Sequence, residues 1–70
     1  MKDLLKQICA RHGLNIEAFG DELIDCEGTV KYFATAINAL VELYPIDQAY
    51  RVWGPDNELM FSGTWTSTLS

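Results

Sequence analysis

Cys9, His12 and Cys26 are the residues best suited by type to hold a metal, since thiolate and imidazole are the common ligands of zinc. Cys9 and His12 stand at a workable spacing, but no fourth ligand is evident. A histidine near the C-terminal end of a helix is also accounted for by the favourable dipole. No metal is therefore expected. The two cysteines are separated by sixteen residues and form no Cys-x-x-Cys pair, so two buried free thiols are predicted. Asp21 and Asp25, one helical turn apart, have the chemistry to share a proton or a cation. A solvated acidic face explains them more simply, because a chain of 70 residues leaves little material for an enclosed pocket. His12 is the only histidine, and the serines lie at 62, 67 and 70, so a Ser-His-Asp arrangement would have to be built from the end of the chain. Gly54 precedes a proline rather than opening a phosphate loop. The chain is not expected to be an enzyme or to carry a cofactor.

What the sequence has in quantity is negative charge. Five basic and ten acidic residues leave a formal charge of −5, and between Gly13 and Val30 stand Glu17, Asp21, Glu22, Asp25 and Glu27 with no base. Such a distribution repels phosphate and attracts basic protein surfaces. These five carboxylates are the expected partner-binding residues. The start of the chain is interrupted by Lys6, Gln7 and Arg11, and no later stretch approaches a membrane span, which predicts a cytoplasmic protein.

The elements that would position these groups follow from periodicity. Leu4, Leu5, Ile8 and Cys9 share one face of a helix over about 2–12, which Gly13 stops. Asn15 is placed as an N-cap, with Leu14 and Phe19 able to staple the first turn of a second helix over about 16–24. A strand over Glu22 to Cys26 is the competing reading. Thr29 can cap a third helix, 29–44, that ends before Pro45. Its second apolar row, Tyr32, Ala36, Ala39 and Leu43, is a candidate homodimer contact. Beyond Pro45 alternation takes over, and a two-stranded antiparallel hairpin over about 49–53 and 58–65 is expected around GPDN, with Asn57 in the left-handed position. Either Val52 or Trp53 then faces Leu59, and the free hairpin edge is a second route to a homodimer. The prediction is one α+β domain over 1–70, three helices followed by a hairpin, with a frayed polar tail over 66–70. Trp53 and Trp65, with Tyr32 and Met60, are the residues to watch at an interface, the alternative being that they complete an undersized core.

The stretch from Leu5 to Phe33 resembles the Cro-like and repressor-like helix-turn-helix family of phage regulators. The resemblance rests on a first helix ending in RHGL, then Phe19, Gly20, Leu23, Thr29, Val30 and Phe33, with a hairpin after the helices. It implies a dimer that binds an operator. Yet where a reading helix would present arginine, glutamine or serine to bases, this chain has Glu27, Gly28, Lys31 and Tyr32. Direct nucleic-acid binding is therefore not the expected role. In size and acidity the chain is similar to the small inhibitors that phages make against host machinery. The favoured expectation is a non-enzymatic interaction module, of the phage or mobile-element inhibitor kind, that occupies a basic nucleic-acid-binding surface of another protein. A degenerate Cro-like regulator and an orphan protein with a small ligand against the tryptophans are the alternatives.

Overall fold

Alternation of burial, not helical periodicity, organises the middle of the chain. The computed structural model describes residues 2–65, so the tail expected over 66–70 lies outside the described residues. A helix α1, Lys2–His12, is followed by a single 3-10 turn at Ile16–Ala18 and five strands: β1 Leu23–Ile24, β2 Val30–Ala34, β3 Ala39–Tyr44, β4 Ala49–Trp53 and β5 Leu59–Thr64. The strands form one antiparallel sheet in the order of the chain.

The three-helix expectation is thus corrected to one helix and a five-stranded sheet. Asn15 does act as a cap, its side chain accepting from the Glu17 N–H at 3.1 Å, but the turn it starts ends at Ala18. The competing strand reading over Glu22 to Cys26 is the one realised, as the short β1. Residues 29–44 are not a helix but the hairpin β2–β3. Burial along β3 alternates strictly between buried and half-buried, and Val30, Tyr32 and Ala34 are the buried positions of β2. Period two with β-branched and aromatic residues is what a strand requires. The turn between them, Thr35 to Asn38, carries neither glycine nor proline and so gives no conspicuous break.

That turn belongs to a set. The Gly28, Asn38, Gln48 and Asn57 N–H groups donate to Asp25, Thr35, Pro45 and Gly54 carbonyls at 3.1, 3.3, 3.3 and 3.1 Å. Each donor residue has positive φ, from 51° at Asn38 and Gln48 to 85° at Gly28. Four consecutive hairpins are therefore closed by the same device, a tight turn ending in a left-handed residue. Only Asn57 stands out as such in the sequence.

Residues directly opposite one another share a face of the sheet. One face carries Val30, Tyr32, Ala34, Ala39, Val41, Leu43, Tyr50 and Val52, and these join Leu4, Leu5, Ile8 and Cys9 of α1, with Phe19, in the core. Leu14, Ile16, Ala18 and Phe61 pack against it. Trp65 is buried in the same cluster, its N–H donating to the Gln48 carbonyl at 3.0 Å. The α1 helix ends as expected, with Gly13 at φ 71° and the Leu14 N–H returning to the Cys9 carbonyl. The hairpin β4–β5 is also present, with Trp53 opposite Leu59, Val52 opposite Phe61, and a bulge between them.

At the C-terminal end of α1, His12 stacks on Phe61 with ring centroids 4.2 Å apart, and its Nε2 lies 2.8 Å from the Tyr50 hydroxyl oxygen. Burial, with the neighbouring Arg11 charge adding to it, pushes the His12 pKa below its ordinary value of 6.5. A base whose folded pKa is depressed binds its proton more readily in the unfolded chain. Stability from this group is therefore complete above the unfolded pKa and is lost as pH falls through the folded one. Urea denaturation is expected to show a lower midpoint at about pH 5.5 than at about pH 7.5. In His12→Gln that difference should shrink, and an undiminished difference would assign it to other groups.

Candidate functional site

The second face of the sheet is uncovered by any described element. Its residues follow from the register. One row, Leu23, Lys31, Glu42, Arg51 and Ser62, crosses all five strands. Beside it a row of Phe33, Leu40, Trp53 and Leu59 crosses four. On the other side of the charged row sits Tyr44. Phe33 is 41% exposed and Leu59 50%, and Ile37 in the β2–β3 turn and Met60 beside the bulge are exposed as well. Leu40 and Trp53 are half-buried among these neighbours. For a domain of this size, a contiguous apolar row in water is the unusual observation.

Glu42 organises this face. Its Oε1 accepts from the Trp53 indole N–H at 2.5 Å and from the Tyr44 hydroxyl at 2.9 Å, and its Oε2 lies 3.8 Å from Lys31 Nζ. Arg51 covers the Tyr44 ring, with Cζ 5.5 Å from the centroid. Burial and the bond to Glu42 raise the Tyr44 hydroxyl above its ordinary pKa, so it stays a donor. Trp53 is thereby held in one place by a charge-assisted bond rather than left to swing, which lowers the entropy lost on contact with a partner.

Glu17, Asp21, Glu22, Asp25 and Glu27 are all exposed, on the segment that runs past the 3-10 turn, through β1 and into the β1–β2 turn. Two of them serve the fold. Glu22 Oε1 accepts from the Tyr32 hydroxyl at 2.6 Å, and with burial this keeps that phenol protonated. Asp25 Oδ1 accepts from the Glu27 and Thr29 N–H groups at 2.9 and 3.0 Å, and its Oδ2 lies 3.8 Å from Lys31 Nζ. Among the described residues, Glu17, Asp21 and Glu27 have no internal partner for their carboxylates. The segment also exposes Leu23 and Ile24.

No protein-family model, curated protein or solved structure matches this chain.

The expected interface residues are divided by the sheet. Tyr32, Ala39 and Leu43 are in the core and cannot meet a second copy as a row, and Ala36 lies exposed in the β2–β3 turn. A helical row at that spacing does not exist once the segment is a hairpin, because alternate residues face opposite ways. Trp65 is likewise core. Trp53 lies on the open face, and Met60 is exposed beside the bulge. Phe33, Leu40, Glu42 and Leu59 went unassigned as site residues by sequence reasoning, because ALVELY and its neighbours are apolar on both faces and show no alternation in sequence. Cys9 is buried, which raises its thiol pKa, whereas Cys26 is exposed rather than buried. Among the described residues no three of His, Cys, Asp and Glu converge as metal ligands. Two open clefts have volumes of about 160 and 290 Å³, below the usual range for small-molecule sites. The larger is lined by Leu40, Glu42, Trp53 and Asn57, and so belongs to the open face. No helix among the described residues is long and apolar enough to cross a membrane.

Proposed function

We propose that the protein is a non-enzymatic interaction domain whose open sheet face docks on another protein, with Glu17, Asp21 and Glu27 steering a basic rim of that partner into place. The carrying observation is the uncovered row Phe33, Leu40, Trp53 and Leu59, with Trp53 fixed by Glu42. Interfaces draw their energy from such central aromatic and aliphatic anchors, whereas surrounding charges govern encounter and selectivity. The partner's matching surface presents apolar side chains beside lysines and arginines. A surface of that kind is often one that otherwise holds nucleic acid, so an inhibitor of the phage or mobile-element type acting in the cytoplasm fits the chemistry.

A helix-turn-helix mode of DNA reading has no support in this fold, since residues 16–24 and 29–44 form no helix pair. The exposed acids on 17–27 also oppose phosphate within a Debye length of about 8 Å.

The test is affinity capture from extracts of the source cell with wild-type bait and with a bait carrying Glu17→Gln, Asp21→Asn and Glu27→Gln. Retained proteins are quantified at about 50 and about 500 mM sodium chloride, conditions that change screening several-fold. A basic protein held by wild type at low salt, and reduced about tenfold or more by high salt or by the neutral bait, is the expected result. The same proteins in the same amounts under all conditions would remove the steering role of the acids. Selection of a sequence motif from random duplex pools by the purified chain would overturn the reading altogether.

A further inference from the structure

The two edges of the sheet are built differently. β1 is two residues long, has Glu22 and Asp25 on either side, and stands where the Gly20 N–H already donates to the Phe33 carbonyl of β2 at 3.0 Å. β5 runs six residues, LMFSGT, with no charged residue and no proline, and among the described residues no strand lies beyond it. Short length, charge and proline are the usual guards against edge-to-edge pairing. β1 has two of them, whereas the six residues of β5 have none, the nearest charge being Glu58 beside the turn. The bulge disturbs only the end of β5 nearest the turn, and from Phe61 to Thr64 the register is regular.

The phase of the backbone can be read from one bond. The Trp65 N–H donates to the Gln48 carbonyl, and bonded and non-bonded pairs alternate along an antiparallel ladder. Tyr50 with Gly63 and Val52 with Phe61 are then bonded pairs, and Arg51 with Ser62 is not. The N–H and C=O of Ser62 consequently point away from β4, out of the sheet's edge.

We propose that β5 pairs antiparallel with β5 of a second copy about a two-fold axis at Ser62, joining the two sheets into one. Antiparallel pairing of a strand with itself is satisfied by two-fold symmetry, and each Ser62 then exchanges both backbone bonds with the other. In this register Phe61 lies opposite Gly63 of the second copy, on the core side, so an aromatic ring covers a position with no side chain. An edge strand without charge of its own suits another uncharged strand, which β5 itself is. Two chains of −5 repel, and β5 is the edge with no carboxylate among its six residues, Glu58 standing at the turn end away from Ser62, whereas Glu22 and Asp25 directly bracket the two residues of β1. A basic strand from another protein would find no counter-charge on β5. This inference does not rest on the partner-docking role of the open face.

Light scattering of the purified chain at concentrations up to about 1 mM, enough to reveal even weak association, should give twice the monomer mass of 7.9 kDa. Ser62→Lys, which sets like charges together at the axis, should return the monomer mass with an unchanged circular dichroism spectrum. In a Cys26→Ser background, Ser62→Cys should oxidise to a disulfide-linked dimer, because bonded antiparallel partners hold Cα atoms about 5.5 Å apart. Leu23→Cys, on the opposite edge, should not. A wild-type monomer across the whole range overturns the proposal, as does a dimer that persists in Ser62→Lys or cross-links as readily at 23 as at 62. If Ser62→Lys fails to fold, the two cysteine variants decide.

Discussion

Leu5→Ala is expected to lower stability by about 2–5 kcal/mol, the range for deleting a fully buried leucine. Leu5 is 0% exposed and lies in the cluster where α1 meets the sheet, among Val41, Leu43 and Val52. The total stability available to a domain of this length is on the order of 3–10 kcal/mol. One truncation therefore removes a large share of it, and the melting temperature should fall by roughly 8–40 °C at about 4–8 °C per kcal/mol. Because the core has a helix on one side and a single sheet on the other, there is no second layer to close over the cavity. Lys6→Ala, one residue along and exposed, should change stability by no more than about 0.5 kcal/mol. Thermal and urea unfolding of the two variants side by side would measure this, and equal effects would mean that α1 is not docked as described.

Phe33→Thr combined with Trp53→Thr is expected to weaken partner binding by about 100-fold or more while leaving the fold in place. Central anchors cost about 2 kcal/mol or more each when removed, and each such loss is roughly 30-fold in affinity. Threonine keeps the strand propensity of both positions. Phe33 and Trp53 are on the face that the core does not use, so Phe33→Thr should cost about 1 kcal/mol or less, and Trp53→Thr, which also loses the bond to Glu42, about 1–3 kcal/mol. Ile46→Thr is the control. Ile46 is 90% exposed but sits in the β3–β4 turn, away from the row. If Ile46→Thr weakens capture of the partner as much as the double variant does, general stickiness and not the sheet face is responsible. If the double variant binds as tightly as wild type, the open face is not the docking surface.

The same residues explain why the fold was only partly legible. Where one face of an element is apolar and the other polar, period tells helix from strand, and α1 and the β4–β5 hairpin were read correctly for that reason. In β2 and β3 the outward positions are Phe33, Leu40 and Tyr44 as well as Lys31 and Glu42. With apolar residues on both faces, the alternation disappears into a run that a helix rich in alanine and leucine fits equally well. Asn38, the left-handed residue that closes the turn, then passes for one position on a polar arc. The side chains that hid the strands are the ones that make the open face a candidate site, which is where local patterning is expected to break down. The acidic segment was legible as charge, but not as structure. That Glu22 and Asp25 are engaged by Tyr32, Lys31 and the β1–β2 turn depends on strand pairing that charge counting does not reveal.

Each strand lies beside the one made just before it in the chain, and each is joined to it by a tight turn. Little loop entropy is lost at any closure, so the sheet can zip up hairpin by hairpin, at the quick end of what β-rich chains achieve. α1 precedes the strands in the chain, yet the surface it packs against is made by β2, β3 and β4, so its docking depends on their pairing.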